Sequence, residues 1–159
     1  MIDSAQFRRT LGNFASGVCV ITAVNDQIPV GFTCQSFSSL SLDPPLILFC
    51  PAKASTTWPE IRESGNFCVN VLAHDQIDYS NLFAGSAPDR FEGVAWEPAT
   101  NGAPRLLGVV AYIDCRLDAV YDGGDHHIAV GRVLDLDVVD PEADPLLYFR
   151  AAYTTTHKQ

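Results

Sequence analysis

Three stretches put small, hydroxyl-bearing or glycine residues where packing alone would call for larger apolar ones. The first runs Gly31-Phe32-Thr33-Cys34-Gln35-Ser36-Phe37-Ser38-Ser39. Glycine there lets another group approach the backbone, and the serines supply hydroxyls to a polar ligand edge. The alternative is an edge strand running into a polar turn. The second, Cys50-Pro51-Ala52-Lys53-Ala54-Ser55-Thr56-Thr57, joins a lysine to three hydroxyls just before a predicted helix. A helix N-terminus offers free N–H groups and partial positive charge, so this composition suits an anion such as phosphate. A capped helix beside a solvated lysine accounts for it equally.

The third stretch is Gly123-Gly124-Asp125-His126-His127. A glycine turn opening a strand fixes the direction of His126, whose ring can donate or accept at neutral pH; a solvent-exposed turn histidine is the plainer reading. Asp89-Arg90-Phe91 lies in a loop, where a surface ion pair is expected and Phe91 needs something to pack on. Serine, cysteine or aspartate nucleophile motifs are missing, as are Cys-x-x-Cys and histidines at metal spacing, so neither triad nor metal chemistry is expected.

Charge narrows the field further. Nineteen acids against ten bases give a net charge of -9, a field that repels nucleic-acid backbones. Lys53 and Lys158 are the only lysines, the second in a polar tail, 154–159, expected to fray. The longest apolar runs fall well short of the ~20 residues of a membrane helix. The opening residues lack the basic-then-apolar order of a signal peptide. An odd number of cysteines, five, mostly among apolar neighbours, reads as buried thiols in a reducing cytoplasm.

The elements that must position these segments follow from periodicity. With 159 residues, 47% apolar, the chain is expected to fold as one domain with a sizeable core. Phe7, Leu11 and Phe14 recur at helical spacing after an Asp3 or Ser4 cap, predicting an amphipathic helix that stops near Gly17. Residues 18–23 and 30–37 read as a hairpin turning at Asn25-Asp26, and a new strand starts at Leu46 after Asp43-Pro44-Pro45. Short helices are predicted after Thr56 or Thr57, ending at Gly65, and over 74–83, ending at Gly85. Between them lies a strand at 67–72, and 86–105 reads as loop.

From Val109 to Tyr121 the odd positions are apolar, while Asp114, Arg116, Asp118 and Asp122 mark the other, solvent-facing side. A turn at 122–125 returns the chain through 126–139, and 146–150 forms a last strand. Strands joined by connections too short for parallel crossovers make a mainly β, antiparallel sheet, favouring a closed or nearly closed barrel. Val110, Tyr112 and Val120 on the second strand faces are more apolar surface than a monomer should expose, which predicts a dimer.

These motifs, in their order, resemble the flavin reductase-like family. The resemblance is carried by Phe7-Arg8, by 17–22, by the run 30–46 through Asp43-Pro44-Pro45, by 66–72, by Asp89-Arg90-Phe91, by Gly124-Asp125-His126 and by 146–150. It covers nearly the whole chain and is nearest to the reductases that serve aromatic and steroid-ring hydroxylases. It implies an FMN-binding split β-barrel, homodimeric, with one FMN or FAD per subunit at the dimer interface. Thr33, Cys34, Ser36, Phe37 and Ser38 would lie along the isoalloxazine and ribityl chain, with Lys53 and Ser55 near the phosphate. Gly31, Phe32, Cys50, Pro51, Ala52 and Phe91 complete the expected flavin contacts, and Gly124, Asp125 and His126 would meet the nicotinamide. His127 departs from the family pattern.

The activity this implies is hydride transfer from NADH, or NADPH, to a flavin that leaves to serve a separate monooxygenase. The cofactors carry the electronics, so no catalytic acid or base is expected. The few basic residues speak against a 2′-phosphate and hence for NADH. The rival class is a non-catalytic flavin-binding or storage protein on the same fold.

Overall fold

A computed structural model describes residues 1–156. In chain order the elements are α1 (Ser4–Leu11), β1 (Ser16–Gly17), β2 (Cys19–Asn25), β3 (Ile28–Cys34), β4 (Ser38–Leu42), β5 (Pro45–Phe49), α2 (Trp58–Ser64), β6 (Asn66–Val71), α3 (Ile77–Ala84), β7 (Trp96–Pro98), β8 (Pro104–Leu106), β9 (Ala111–Gly123), β10 (His126–Val138), β11 (Leu147–Phe149) and β12 (Ala152–Thr154). Strand accounts for 47% and helix for 15%, which makes the fold mainly β.

Seven strands form one antiparallel sheet in the order β3-β2-β6-β9-β10-β5-β4. Among the described residues no pairing joins β3 to β4, so the expected closed barrel is not formed by a continuous ladder. Two smaller sheets, β1-β11-β12 and β7-β8, flank it.

Alternation along β2 explains why it is apolar on both sides. Cys19, Ile21 and Ala23 enter a core with Phe49, Trp58, Ile61 and Phe67, while Val18 and Val20 enter a second with Leu72, Phe83, Phe91, Leu106 and Leu146. The β2–β3 turn falls at Asp26-Gln27, one residue later than predicted, with both φ angles positive (47° and 67°). That geometry matches the twist of a two-residue hairpin.

Elsewhere the periodic reading fails where tertiary cover intervenes. The stretch read as loop, 86–105, contains the strands β7 and β8, and Asp114, assigned to solvent, is wholly buried. The β7–β8 hairpin lies over it: Asn101 N–H donates to Asp114 Oδ2 at 2.9 Å, and Asn101 Nδ2 donates to the carbonyls of Phe67 and Cys115. Tyr112 is buried with Ala103 beneath the same hairpin, and Val120 packs on the first core, so neither is the free apolar surface inferred from β9. Exposed apolar residues elsewhere include Phe7, Leu11 and Phe14 at the N-terminus and Leu134, Leu136 and Val138 on β10.

Both chain ends also differ in detail. Helix α1 is capped by Asp3, whose Oδ1 accepts from Gln6 N–H at 2.7 Å, but it ends at Leu11, before Phe14. All eight of its residues are exposed. At the other end the single predicted strand is a hairpin, β11–β12. Thr154 belongs to β12, and Thr155 and Thr156 donate to Pro145 O and Asp144 Oδ1, so this part of the expected frayed tail is held; 157–159 lie outside the described residues. Among the described residues no helix is long and apolar enough to cross a membrane.

Candidate functional site

The tip of the β9–β10 hairpin is stitched to the segment after β5. Lys53 N–H donates to Asp125 O and His127 N–H to Pro51 O, both at 2.9 Å, and Ala52 bridges His126. Gly124 adopts the left-handed conformation (φ 80°) that the two-residue turn requires, as glycine does without strain. Two segments some seventy residues apart thus become one wall. His126 shares a cavity of about 360 Å³ with Thr33, Cys34, Ser36, Cys50 and Ser55.

Ser36 organises the floor of this cavity. Its Oγ donates to Cys50 O at 3.2 Å, accepts from Cys50 N–H at 2.9 Å and lies 3.3 Å from Cys34 Sγ. Thr33 Oγ1 donates to Ser80 O at 2.6 Å, fixing β3 against α3. Gly31 serves the same packing: an added Cβ would lie 3.2 Å from the Phe83 ring and 3.1 Å from Ile21 O.

A second cavity of about 360 Å³ shares Phe32, Thr33 and Ser55 with the first and continues past Thr56 and Thr57 to Arg90. A third, about 790 Å³, shares Thr56, Thr57 and Arg90 with the second and extends to Pro88, Phe91 and Trp96. Together they make one groove running from His126 to Trp96.

Arg90, absent from the expected contacts, sits where the second and third cavities meet. Its Nη1 donates to Gly31 O and to Thr57 Oγ1, each at 2.9 Å, while its Nε is buried without a partner. The surface ion pair read from Asp89-Arg90 does not form: Asp89 Oδ1 accepts from the N–H groups of Phe91 and Glu92. The signal was the cation itself, in a loop otherwise acidic and apolar. Phe91 packs edge-on to Phe83, with ring centroids 5.0 Å apart, and borders only the third cavity.

Other expected contacts are arranged differently from one another. Lys53 forms an ion pair with Asp122, which holds that carboxyl below its usual value. Ser55 Oγ accepts from Thr57 N–H at 3.3 Å and from Trp58 N–H at 3.1 Å, so Ser55, and not the predicted Thr56 or Thr57 hydroxyl, caps α2. Pro51 and Ala52 line the first cavity. Phe37 packs on the first core, and Ser38 lies on β4 with its hydroxyl on Ser39 O. Asp125 pairs with His126 Nδ1 at 2.7 Å, and that bond keeps the Asp125 carboxyl below its ordinary range. His127 points the other way, accepting from Trp58 Nε1 at Nδ1 over 3.0 Å.

The groove is lined by a histidine, several hydroxyls and one arginine. That set can hold a flat polar ring and an anion in sequence. The chain is 50% identical over 153 residues to the reductase subunit HsaB of a flavin-dependent monooxygenase from Rhodococcus jostii, an alignment covering 96% of this chain and 78% of that one. It is 39% identical to an FMN reductase (NADH), SmoA, from Agrobacterium fabrum, covering 99% and 88%. The crystal structure of nitrilotriacetate monooxygenase component B from Mycobacterium thermoresistibile superposes with a TM-score of 0.94 at 48% identity, over 98% of this chain and 87% of that one. Residues 11–157 match the model of the flavin reductase like domain, and the chain therefore belongs to that family.

Proposed function

We propose that this chain is the flavin-reducing component of a two-component monooxygenase, taking hydride from NADH and releasing reduced flavin to a separate oxygenase. The observation that carries the reading is the groove itself. At one end His126 closes a cleft lined by polar groups of β3, and about midway Arg90 presents a buried Nε with no partner. Arg90 is the one lysine or arginine among the residues lining the three cavities, so an anionic group is best placed beside it. The flavin phosphate fits that place.

Bound flavin supplies the chemistry, accepting hydride from the nicotinamide ring. The chain's own task is placement. The Ser36–Cys50 bonds and the Thr33–Ser80 bond hold the ring wall rigid, so two flat rings can stack against it without loss of register. His126, aimed by the Gly124 turn and by Asp125, orients the nicotinamide. Asp122 and Asp125 beside it disfavour a 2′-phosphate, which supports NADH over NADPH.

FMN ends at its phosphate, whereas FAD continues. The third cavity beyond Arg90, walled by Pro88, Phe91 and Trp96, supports FAD as the tighter ligand with FMN also accepted. The unburied face of α1 and the apolar stripe of β10 support a homodimer. Five free thiols fit residence in a reducing cytoplasm.

Steady-state oxidation of NADH and NADPH, each with FAD, FMN or riboflavin, tests the proposal. The expected order is NADH over NADPH, and FAD at or above FMN above riboflavin. Tight flavin binding with no nicotinamide oxidation would replace it with the non-catalytic binding protein.

A further inference from the structure

Cys34 and Cys50 line the ring end of the groove, and Cys34 alone of the two has a further thiol opposite it. Cys19 and Cys34 are register partners across the β2–β3 ladder, and both are buried free cysteines. Opposed residues of an antiparallel pair have Cα atoms about 4.5–5.5 Å apart, inside the ~4.4–6.8 Å that a disulfide spans. Cys19 Sγ lies 3.3 Å from Cys34 O, and Cys34 also lines the His126 cavity, 3.3 Å from Ser36 Oγ.

The two sulfurs are unequal. The neighbouring Cys19 thiol, aided by Ser36, holds the Cys34 thiol below its ordinary value despite burial, and the same neighbour effect with burial holds that of Cys19 well above it. Cys68 and Cys115, also buried, are pushed upward chiefly by desolvation and lie outside the groove. A thiol of lowered pKa on a ligand cleft, with a second thiol opposite it, is the arrangement that peroxide oxidises selectively.

We propose that Cys34 is a peroxide-oxidisable thiol with Cys19 as its resolving partner, and that the disulfide they form shuts down flavin binding. This rests on the flavin-reductase reading, because released reduced flavin not taken up by an oxygenase reacts with dioxygen and yields hydrogen peroxide. The Cys34 thiolate attacks the peroxide: an S–O bond forms, the O–O bond breaks, and the departing hydroxide takes a proton to become water. The Cys19 sulfur then attacks the resulting sulfenic acid. An S–S bond forms, the S–O bond breaks, and hydroxide leaves with the Cys19 proton as a second water. The two sulfurs together lose two electrons, and one peroxide becomes two waters.

The structural consequence is local. Drawn toward Cys19, the Cys34 sulfur leaves Ser36, whose hydroxyl also holds both backbone groups of Cys50, and the wall under the flavin ring changes. Bound flavin covers that wall and slows the reaction, so the device acts when the enzyme turns over without a partner to collect its product.

The test treats fully reduced protein with hydrogen peroxide, with and without saturating FAD, followed by non-reducing peptide mapping and the NADH–flavin assay. A Cys19–Cys34 cross-link is expected, with loss of most of the flavin-reducing rate, recovery on adding dithiothreitol, and protection by FAD. Cys19→Ala, or Cys19→Ser if alanine impairs folding, should keep the untreated rate, form no cross-link and carry a dimedone-reactive sulfenic acid on Cys34. Cys34 remaining reduced under peroxide, or a cross-link without loss of rate, overturns the proposal. Untreated reduced protein that fails to oxidise NADH defeats the flavin-reductase reading instead, while the peptide map still decides the thiol chemistry.

Discussion

Arg90 ties Gly31 to Thr57 through a single nitrogen, Nη1 bonding both the carbonyl and the hydroxyl at 2.9 Å, while its Nε is buried without a partner. The arginine therefore has a fixed orientation before any ligand arrives. Lys53, by contrast, must give up Asp122 to reach a phosphate.

That difference orders the two cations. Arg90→Ala should weaken FMN and FAD by about 1–3 kcal/mol, the scale of a lost charge-assisted contact, and riboflavin far less. Lys53→Ala should cost the phosphorylated flavins less than Arg90→Ala does. Fluorescence titration of the three flavins checks both, and equal losses for riboflavin and FMN in Arg90→Ala would remove the phosphate from this place.

His126 should act by positioning. Its ring is held by Asp125 and by the strand it opens, and hydride transfer moves no proton at the nicotinamide. His126→Ala should raise KM for NADH with a smaller fall in kcat and little change in flavin affinity. A collapse of kcat at saturating NADH with KM unaltered would mean that the ring acts in the transition state.

The α1 face predicts the assembly. Phe7, Leu11 and Phe14 are 55%, 54% and 84% exposed, and the hollow beside them, about 280 Å³, includes Tyr148. Sedimentation should give twice the 17.3 kDa chain mass, and Leu11→Glu should shift the protein toward the single chain. A wild-type monomer at micromolar concentration would leave this face without its proposed partner.

Asp114 makes stability depend on pH in a definite direction. Burial, with the charge of Asp135 across the ladder adding to it, raises its carboxyl above the ordinary value, and Oδ1 is buried without a partner. A folded-state value above the unfolded one means that the native protein holds the proton more tightly. Asp114 therefore favours folding below the ordinary carboxylate range and loses that contribution as pH rises through the raised value. Asp114→Asn keeps an oxygen for Asn101 N–H and removes the titration, so its urea midpoint relative to wild type should rise between pH 4 and pH 7. A constant difference across that range would show that Asp114 does not titrate there.

The sequence alone determined the features that repeat or punctuate locally. The apolar run of β2, the Asp43-Pro44-Pro45 break, the Gly65 and Gly85 helix ends and the Gly124-Asp125 turn are all decided by backbone chemistry within a few residues. The ordered motifs also carried the family, because they occupy the same succession of elements. Asp114 shows what this reasoning could not reach. Its alternation with Cys115 assigns it to solvent, and only the β7–β8 hairpin, docked from distant sequence by Asn101, buries it. Arg90 is the counterpart in the site. Its acidic neighbour argued for a surface pair, but Asp89 is consumed by its own loop's N–H groups, and the free guanidinium turns inward to β3 and α2. Burial and partner choice depend on which segments meet across the sheet, and such long-range contacts leave no period in the sequence.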